Sequence, residues 1–328
     1  MVQDLIQLCK ERGPKVYIQT HNFPDPDAIG SAYGLQKLLE NFGIHPILCY
    51  AGRIDKLSTS RMLEEFDVQI FSYDEVKHDM KESDPIICVD SQKNGGNIQD
   101  FVGDEVACID HHPTFTEEKY LYSDIRIAGA CASLIAQYYR DLEITPTENV
   151  ASALLYALKM DTMQFSRGVT DLDIAALRFV FPYHNKAKIT RLEQNTMAFR
   201  DLKAYGAAIE HIQVYERFGY TVVPFACPDG LIATLADFIL SLDEVEVVVV
   251  ISVREDGLKF SVRSEIPQVH AGYLIRDALA GLGNAGGHAS MAGGFVPQSM
   301  VEPMGAYYEA EIRERFMDIL EKMGYLKV

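Results

Sequence analysis

The chain has 328 residues, 48% of them hydrophobic and 23% charged, with a mean hydropathy of −0.03. That is the balance of a folded globular protein, and it excludes a disordered or fibrous one. Forty-seven Asp and Glu against thirty Lys and Arg leave a net charge of −17, a field that disfavours long duplex nucleic acid and anionic membranes while permitting a short anionic substrate where positive charge is local.

No apolar run approaches the roughly 20 residues of a membrane span; the longest covers 247–251. Residues 1–10 carry Asp4 in an amphipathic pattern and lack a basic region followed by an apolar stretch, so no secretion signal and a cytoplasmic location are expected. The six cysteines, Cys9, Cys49, Cys88, Cys108, Cys131 and Cys227, form no C-x-x-C pair and mostly sit in apolar runs. They are expected to be buried free thiols in a reducing compartment.

In chain order, strand-like runs at 16–20, 46–50, 86–90 and 106–110 alternate with helical patterns, the first at 28–42. This alternation predicts a parallel sheet with crossover helices. Leu35, Leu38, Leu39 and Phe42 give the first helix its apolar face, and Gly43 stops it. Helices are expected at 131–140, 147–159 and 171–181, and a polar helical stretch over 185–218 reads as a connection between two domains. The pattern then restarts: a strand from 221, a helix at 231–240, and strands at 245–253 and 258–264 around a Glu-Asp-Gly turn, whose chemistry predicts a hairpin. A helix over 270–282 leads into the glycine-rich GLGNAGGHASMAGG. The expected domains are 1–184, 185–218 and 219–328: an α/β parallel-sheet domain, a helical linker, and a smaller α/β domain with a mixed sheet.

Acids and imidazoles gather where such sheets place their sites, at the C-terminal ends of strands. His21, Asp25 and Asp27 follow the first strand, in a loop stiffened by Pro24 and Pro26. Asp90 ends IICV, Asp110-His111-His112 end VACI, and Asp161 ends a helical run. Taken singly, each has a structural reading, such as a helix N-cap or polar surface; together and in this order they point to a metal centre. Carboxylate and imidazole donors without thiolate suit Mn²⁺ better than structural zinc. Asp25, Asp27, Asp90 and Asp161 near one point would repel unless cations neutralised them, and two divalent ions match their charge. Two such ions about 3.5–4 Å apart activate water and stabilise in-line displacement at phosphorus.

THNFPDPDAIGSA, ICVDSQ, CIDHHPT and MDTMQF resemble motifs one to four of the DHH phosphoesterase superfamily, and NAGGHASMAGG resembles the GGGH motif of its smaller C-terminal domain. In length and layout the chain is most similar to the nanoRNase/pAp phosphatase subgroup, relatives of the RecJ exonucleases. The resemblance implies that His21, Asp25 and Asp90 hold one metal and that Asp27, Asp90, His111 and Asp161 hold the other. It makes His112 a contact to the scissile phosphate or leaving oxygen, and Asp110 the acceptor that orients a neighbouring imidazole. Gly286, Gly287 and His288 would hold a substrate phosphate across an interdomain cleft through backbone N–H groups and the ring, and Arg263 would grip the distal end. Arg254 is expected at the surface.

The chain departs from the family pattern in places. Ala285 replaces the first glycine of GGGH, Pro26 replaces a common glycine, and Lys159 is unfamiliar, facing either the phosphate or solvent. From Gly219 onward eight Lys and Arg face fifteen Asp and Glu, so the second domain offers no broad basic platform.

The function implied is hydrolysis of short oligoribonucleotides, linear dinucleotides or 3′-phosphoadenosine 5′-phosphate, with two Mn²⁺ ions, or Mg²⁺ or Co²⁺ as substitutes. The alternatives on the same centre are a cyclic-dinucleotide phosphodiesterase, or a pyrophosphatase or exopolyphosphatase. A basic Ser-Arg-Lys-Lys-type signature of the family's pyrophosphatases is missing. Short RNA or nucleotides are the expected partners, and apolar faces of the helical region suit either a core or a homodimer interface.

Overall fold

The apolar runs ending at Thr20, Tyr50, Val89 and Asp110 are all strands. In the computed structural model, which describes residues 2–13, 15–54, 56–114, 118–194 and 197–326, they belong to the first of two units, Met1–Thr196 and Met197–Val328.

The first unit runs α1 (Val2–Arg12), β1 (Tyr17–Thr20), α2 (Pro26–Glu40), β2 (Ile47–Tyr50), α3 (Leu57–Phe66), β3 (Phe71–Ser72), α4 (Tyr73–Val76), β4 (Pro85–Val89), β5 (Asp104–Asp110), β6 (Tyr122–Ile125), α5 (Cys131–Asp141), α6 (Glu148–Asp161), α7 (Asp171–Val180) and α8 (Lys186–Gln194). Its six strands are all parallel, in the order β3-β2-β1-β4-β5-β6. Inner strands buried on both faces need apolar residues at successive positions, so they read as continuous runs. Ile18, Leu48, Ile87 and Ile109 enter the core beneath the large helices. Their neighbours Tyr17, Cys49, Cys88 and Cys108 enter a smaller core on the other face, with Val76, Met80 and Phe101.

The second unit contains α9 (Leu202–Glu210), β7 (Gln213–Tyr215), β8 (Phe218–Val223), α10 (Asp229–Leu240), β9 (Val247–Arg254), β10 (Gly257–Ser264), α11 (Ala271–Ala278), β11 (Asn284–Gly287), β12 (Met291–Pro297), α12 (Gln298–Val301) and α13 (Tyr308–Lys322). Its sheet is mixed, in the order β11-β12-β10-β9-β8-β7, with β8 and β9 parallel and the other pairs antiparallel. Phe260 and Val262 face α11 and α13, whereas Val248 and Val250 face α9 and α10.

Two expectations are corrected. The stretch 185–218 is not one connecting helix: α8 and α9 are separate, with a 3-10 turn at Phe199–Asp201 and strand β7 after α9. Its thin apolar content is shared between two cores, since Ile189 and Leu192 join the first unit's core while Ala204 and Ala208 join one in the second. The glycine-rich segment forms the β11–β12 hairpin, Gly286 opposite Gly293 and Gly287 opposite Ala292. The helix before it is correspondingly short, ending at Ala278.

The predicted hairpin at 255–257 forms with Arg254 opposite Gly257. All six cysteines are free and buried. Among the described residues, no helix is long and apolar enough to cross a membrane.

Candidate metal centre

The strand order of the first sheet reverses between β1 and β4. At such a point the flanking connections lead to opposite faces and leave a crevice beyond the C-terminal strand ends. His21 directly follows β1, Asp90 follows β4, and Asp110 ends β5 with His111 and His112 after it. Asp25 is the N-cap of α2, with Pro26 in its first turn and Asp25 Oδ1 accepting from the N–H groups of Asp27 at 2.9 Å and Ala28 at 3.2 Å. The carboxylate that caps α2 is also one of the candidate ligands. Asp27 lies in the first turn of α2, and Asp161 is the last residue of α6. The two helices approach closely because residue 30 is glycine; a Cβ there would lie 2.7 Å from Ala157 Cβ.

The donor atoms of His21, Asp25 and Asp90 lie within 4.8 Å of one another, as do those of Asp27, His111 and Asp161, and those of Asp90, Asp110, His111 and His112. Asp90 connects these groups. Its Oδ2 is 3.6 Å from His21 Nε2, and its Oδ1 is 3.2 Å from His111 Nε2. His111 Nε2 lies 3.8 Å from Asp27 Oδ2 and 3.5 Å from Asp161 Oδ2.

The tautomers follow from the neighbours. His21 Nδ1 is 2.8 Å from the carbonyl oxygen of Asn22, and His111 Nδ1 is 2.9 Å from that of Ala128. A carbonyl only accepts, so both Nδ1 atoms donate and both Nε2 atoms face the cluster, as metal-ligating histidines do.

Asp90 Oδ1 is buried and has no hydrogen-bond partner. Leaving a carboxylate oxygen so placed costs several kcal/mol unless positive charge compensates it. The pKa directions report the same demand. Burial disfavours the imidazolium of His21, yet Asp25 and Asp90 outweigh it and push the ring up to about 9. His111 is likewise pushed up to about 11 by Asp90 and Asp27 against its burial. Burial and the charges of Asp90 and Asp161 raise Asp27 well above the carboxylate range, and burial with Asp25 and Asp90 raises Asp161 to about 6. Nitrogen and carboxylate donors around an uncompensated oxygen fit divalent cations of the Mn²⁺, Mg²⁺ or Co²⁺ kind.

Asp110 is fully engaged. Its Oδ1 accepts from the N–H groups of His111 and His112 at 2.8 and 3.3 Å and from His112 Nδ1 at 2.9 Å. Its Oδ2 accepts from Gln92 Nε2 at 2.7 Å. His112 is thereby oriented with Nε2 outward and its side chain 50% exposed, and the Asp110 hydrogen bond raises its pKa.

Three residues were not singled out from sequence. Gln92, two places after Asp90, fixes Asp110. Asp173 is fully buried; its Oδ2 accepts from the N–H groups of Gly129 at 2.8 Å and Thr170 at 2.7 Å, and its Oδ1 accepts from Ser133 Oγ at 2.6 Å. The Thr-Asp-Leu-Asp run signals only a helix start, and here it also ties down the loop before α5. Arg167 donates to the carbonyl of Asp161 at 2.8 Å and places NH2 3.6 Å from its carboxylate. Lys159, by contrast, pairs with Glu193.

In the second unit, His288 is exposed between β11 and β12, and its N–H donates to the Met291 carbonyl at 2.7 Å. That amide is used within the hairpin, which corrects the expectation that it is open to a phosphate. Gly286 and Gly287 lie on the edge strand β11. Arg263 stands opposite Met291 in the ladder; its Nε donates to Asp237 at 2.6 Å and its NH1 to Ser261 Oγ at 3.1 Å. Arg254 is more than a surface residue: it donates to the Cys227 carbonyl at 2.5 Å and pairs with Asp229.

Residues 15–158 match the DHH family, N-terminal domain, and residues 216–322 match the DHHA1 domain. An uncharacterized protein of Methanocaldococcus jannaschii is 24% identical over 319 residues, covering 95% of this chain and 65% of that protein. A probable manganese-dependent inorganic pyrophosphatase of Bacillus mycoides is 27% identical over 194 residues, covering 58% of this chain and 60% of that protein. The chain thus spans less than two thirds of the length of these curated relatives. Among solved structures, an exopolyphosphatase-related protein from Bacteroides fragilis superposes with a TM-score of 0.76 at 20% identity, covering 98% of this chain and 97% of that one. RecJ of Thermus thermophilus in complex with Mn²⁺ gives a TM-score of 0.51 at 16% identity, covering 96% of this chain and 54% of that one. Both likenesses are of fold. In order along its length, the chain thus carries a DHH family, N-terminal domain and a DHHA1 domain.

Proposed function

We propose that this protein is a manganese-dependent phosphoesterase acting on short oligoribonucleotides, linear dinucleotides or 3′-phosphoadenosine 5′-phosphate. The observation that carries this reading is Asp90, a buried carboxylate with one oxygen toward His21 and the other, unpartnered, toward His111. His21, Asp25 and Asp90 would hold one cation, and Asp27, Asp90, His111 and Asp161 the other. Bound there, two divalent cations supply charge neutralisation, polarisation of phosphoryl oxygens and a lowered pKa for the attacking water. Manganese is the ion named for the pyrophosphatase relatives and for the RecJ complex.

The chain's own residues set the geometry and move protons. Asp90 fixes the spacing of the two ligand groups. His112, held at Nδ1 by Asp110, presents Nε2 as the atom that contacts the scissile phosphate or protonates the leaving oxygen. Gln92 keeps Asp110 in the orientation that makes this possible.

In the second unit, His288 and Arg263 are assigned to a distal substrate phosphate, the guanidinium as a forked donor. Arg263→Ala should raise KM for a dinucleotide several-fold while leaving kcat within about twofold, because it removes binding without touching the reacting atoms. A fall in kcat with unchanged KM would contradict the assignment.

The reading as a whole is tested by supplying Mn²⁺ and comparing a labelled RNA dinucleotide, a 24-mer, 3′-phosphoadenosine 5′-phosphate, a cyclic dinucleotide and pyrophosphate. Fast release from the dinucleotide with a slow 24-mer supports it. Turnover of the cyclic dinucleotide alone, or of pyrophosphate alone, would keep the centre and overturn the substrate.

A further inference from the structure

We propose that Phe23 is a stacking platform for a base of the substrate, so that the centre favours nucleotide phosphoesters over inorganic ones; this rests on the phosphoesterase reading above. Phe23 lies between His21 and Asp25, and the residue is 57% exposed. A single exposed phenylalanine is unremarked on most surfaces. This one is held in an unusual way.

Its φ of 56° lies in the left-handed region, which bulky side chains avoid and glycine or asparagine occupies readily. The surrounding loop is pinned on both sides. The Asn22 N–H donates to the Asn97 carbonyl at 2.7 Å, Asn22 Oδ1 accepts from the Gln99 N–H at 3.0 Å, and the Phe23 N–H donates to the Ala51 carbonyl at 3.0 Å. The ring also has a seat. Gly52, with φ +81°, lies against it, and a Cβ at residue 52 would come within 2.8 Å of the ring's Cε1. Strain of this kind persists where the structure over-determines it, and it concentrates at functional sites. Here it holds an aromatic ring in one position and leaves it in solvent.

The position suits a nucleotide. Gly52 follows β2, His21 follows β1 and Asp90 follows β4, and these three strands are neighbours in that order. At a strand spacing of about 4.8 Å, the seat lies roughly 5 to 10 Å along the sheet's C-terminal edge from the ligand cluster. That is the scale separating a nucleotide's phosphate from its base. Stacking on an aromatic face accepts any base, so the platform would add affinity without reading sequence. Pyrophosphate and polyphosphate have nothing to place there.

The test compares the full-length protein with Phe23→Asn, which removes the ring but suits the left-handed backbone, and Phe23→Tyr, which keeps a ring. With Mn²⁺, Phe23→Asn should raise KM for a 5′-phosphorylated diadenosine dinucleotide about tenfold, leave kcat within twofold, and leave an abasic dinucleotide of the same backbone unaffected. Phe23→Tyr should behave as wild type on both. An independent readout is the fluorescence of a 2-aminopurine dinucleotide with an uncleavable methylenephosphonate link, titrated onto Mg²⁺-loaded protein. Quenching should occur with wild type and Phe23→Tyr and be lost in Phe23→Asn. Equal losses on the base-bearing and abasic substrates, or quenching that survives in Phe23→Asn, would overturn the platform. Wild-type protein that cleaves no phosphoester would overturn the phosphoesterase reading instead, and the quenching comparison would still decide whether a base stacks on Phe23.

Discussion

Asp90→Asn is expected to abolish turnover, by roughly 10³-fold or more, equivalent to about 4 kcal/mol of transition-state stabilisation. Asparagine tolerates the left-handed backbone that residue 90 adopts, with φ 58°, so the strand end keeps its course. What is lost is one negative charge and one oxygen facing a histidine. The substitution should also lower the Mn²⁺ content below two ions per chain. Turnover within tenfold of wild type, measured at saturating Mn²⁺, would show that Asp90 is not the shared ligand.

The second large effect is expected at Asp173, which among the described residues hydrogen-bonds to none of the proposed ligand side chains. Its bonds to Gly129 and Ser133 tie down the segment entering α5. That segment holds two of the proposed ligands. Asp27 Oδ2 accepts from the Cys131 N–H at 2.6 Å and Asp27 Oδ1 from the Ala132 N–H at 3.0 Å, while the Ala128 carbonyl receives His111 Nδ1 at 2.9 Å. Space is tight as well, since a Cβ at Gly129 would lie 2.7 Å from Thr162 Cγ2, next to Asp161. Asp173→Ala removes both acceptor oxygens and leaves the buried N–H groups of Gly129 and Thr170 without their partner. The expected cost is about 2–4 kcal/mol, a fall in Tm of roughly 5–15 °C. Because the lost bonds orient ligands, Mn²⁺ affinity should weaken by roughly 10–100-fold at a temperature where the variant is fully folded. Ser133→Ala, which removes one of these bonds, should show a smaller loss of both. A variant that melts earlier yet binds Mn²⁺ as tightly as wild type would reduce Asp173 to a purely structural role.

The gathering of these acids and imidazoles was legible because its information is local. Each follows an apolar strand or helix run, and carboxylates and imidazoles at the C-terminal edge of one sheet have a restricted chemistry. Pro26 lies in the first turn of α2, and Asp110 Oδ1 accepts from His112 Nδ1. Asp173 was not legible because its partner Gly129 is 44 residues away and only the tertiary fold brings them together. The β11–β12 hairpin was hidden by its glycines, which weaken strand propensity; its place comes from pairing with β10 instead. Glycine also suits that hairpin's contact with α11, where a Cβ on Gly272 would lie 2.4 Å from the Gly287 carbonyl oxygen. The polar stretch 185–218 read as a single helix because its two short apolar stripes serve different cores. Nothing in the residue pattern marks Phe23 as left-handed.

The most direct measurement is a Mn²⁺ titration of metal-free wild-type protein, with ion content counted after desalting and the spin state followed by electron paramagnetic resonance. Two ions shared through Asp90 predict a stoichiometry of two per chain and an exchange-coupled signal that replaces the six-line spectrum of isolated Mn²⁺. A single ion per chain, or two ions that remain magnetically independent, would contradict a centre bridged by Asp90.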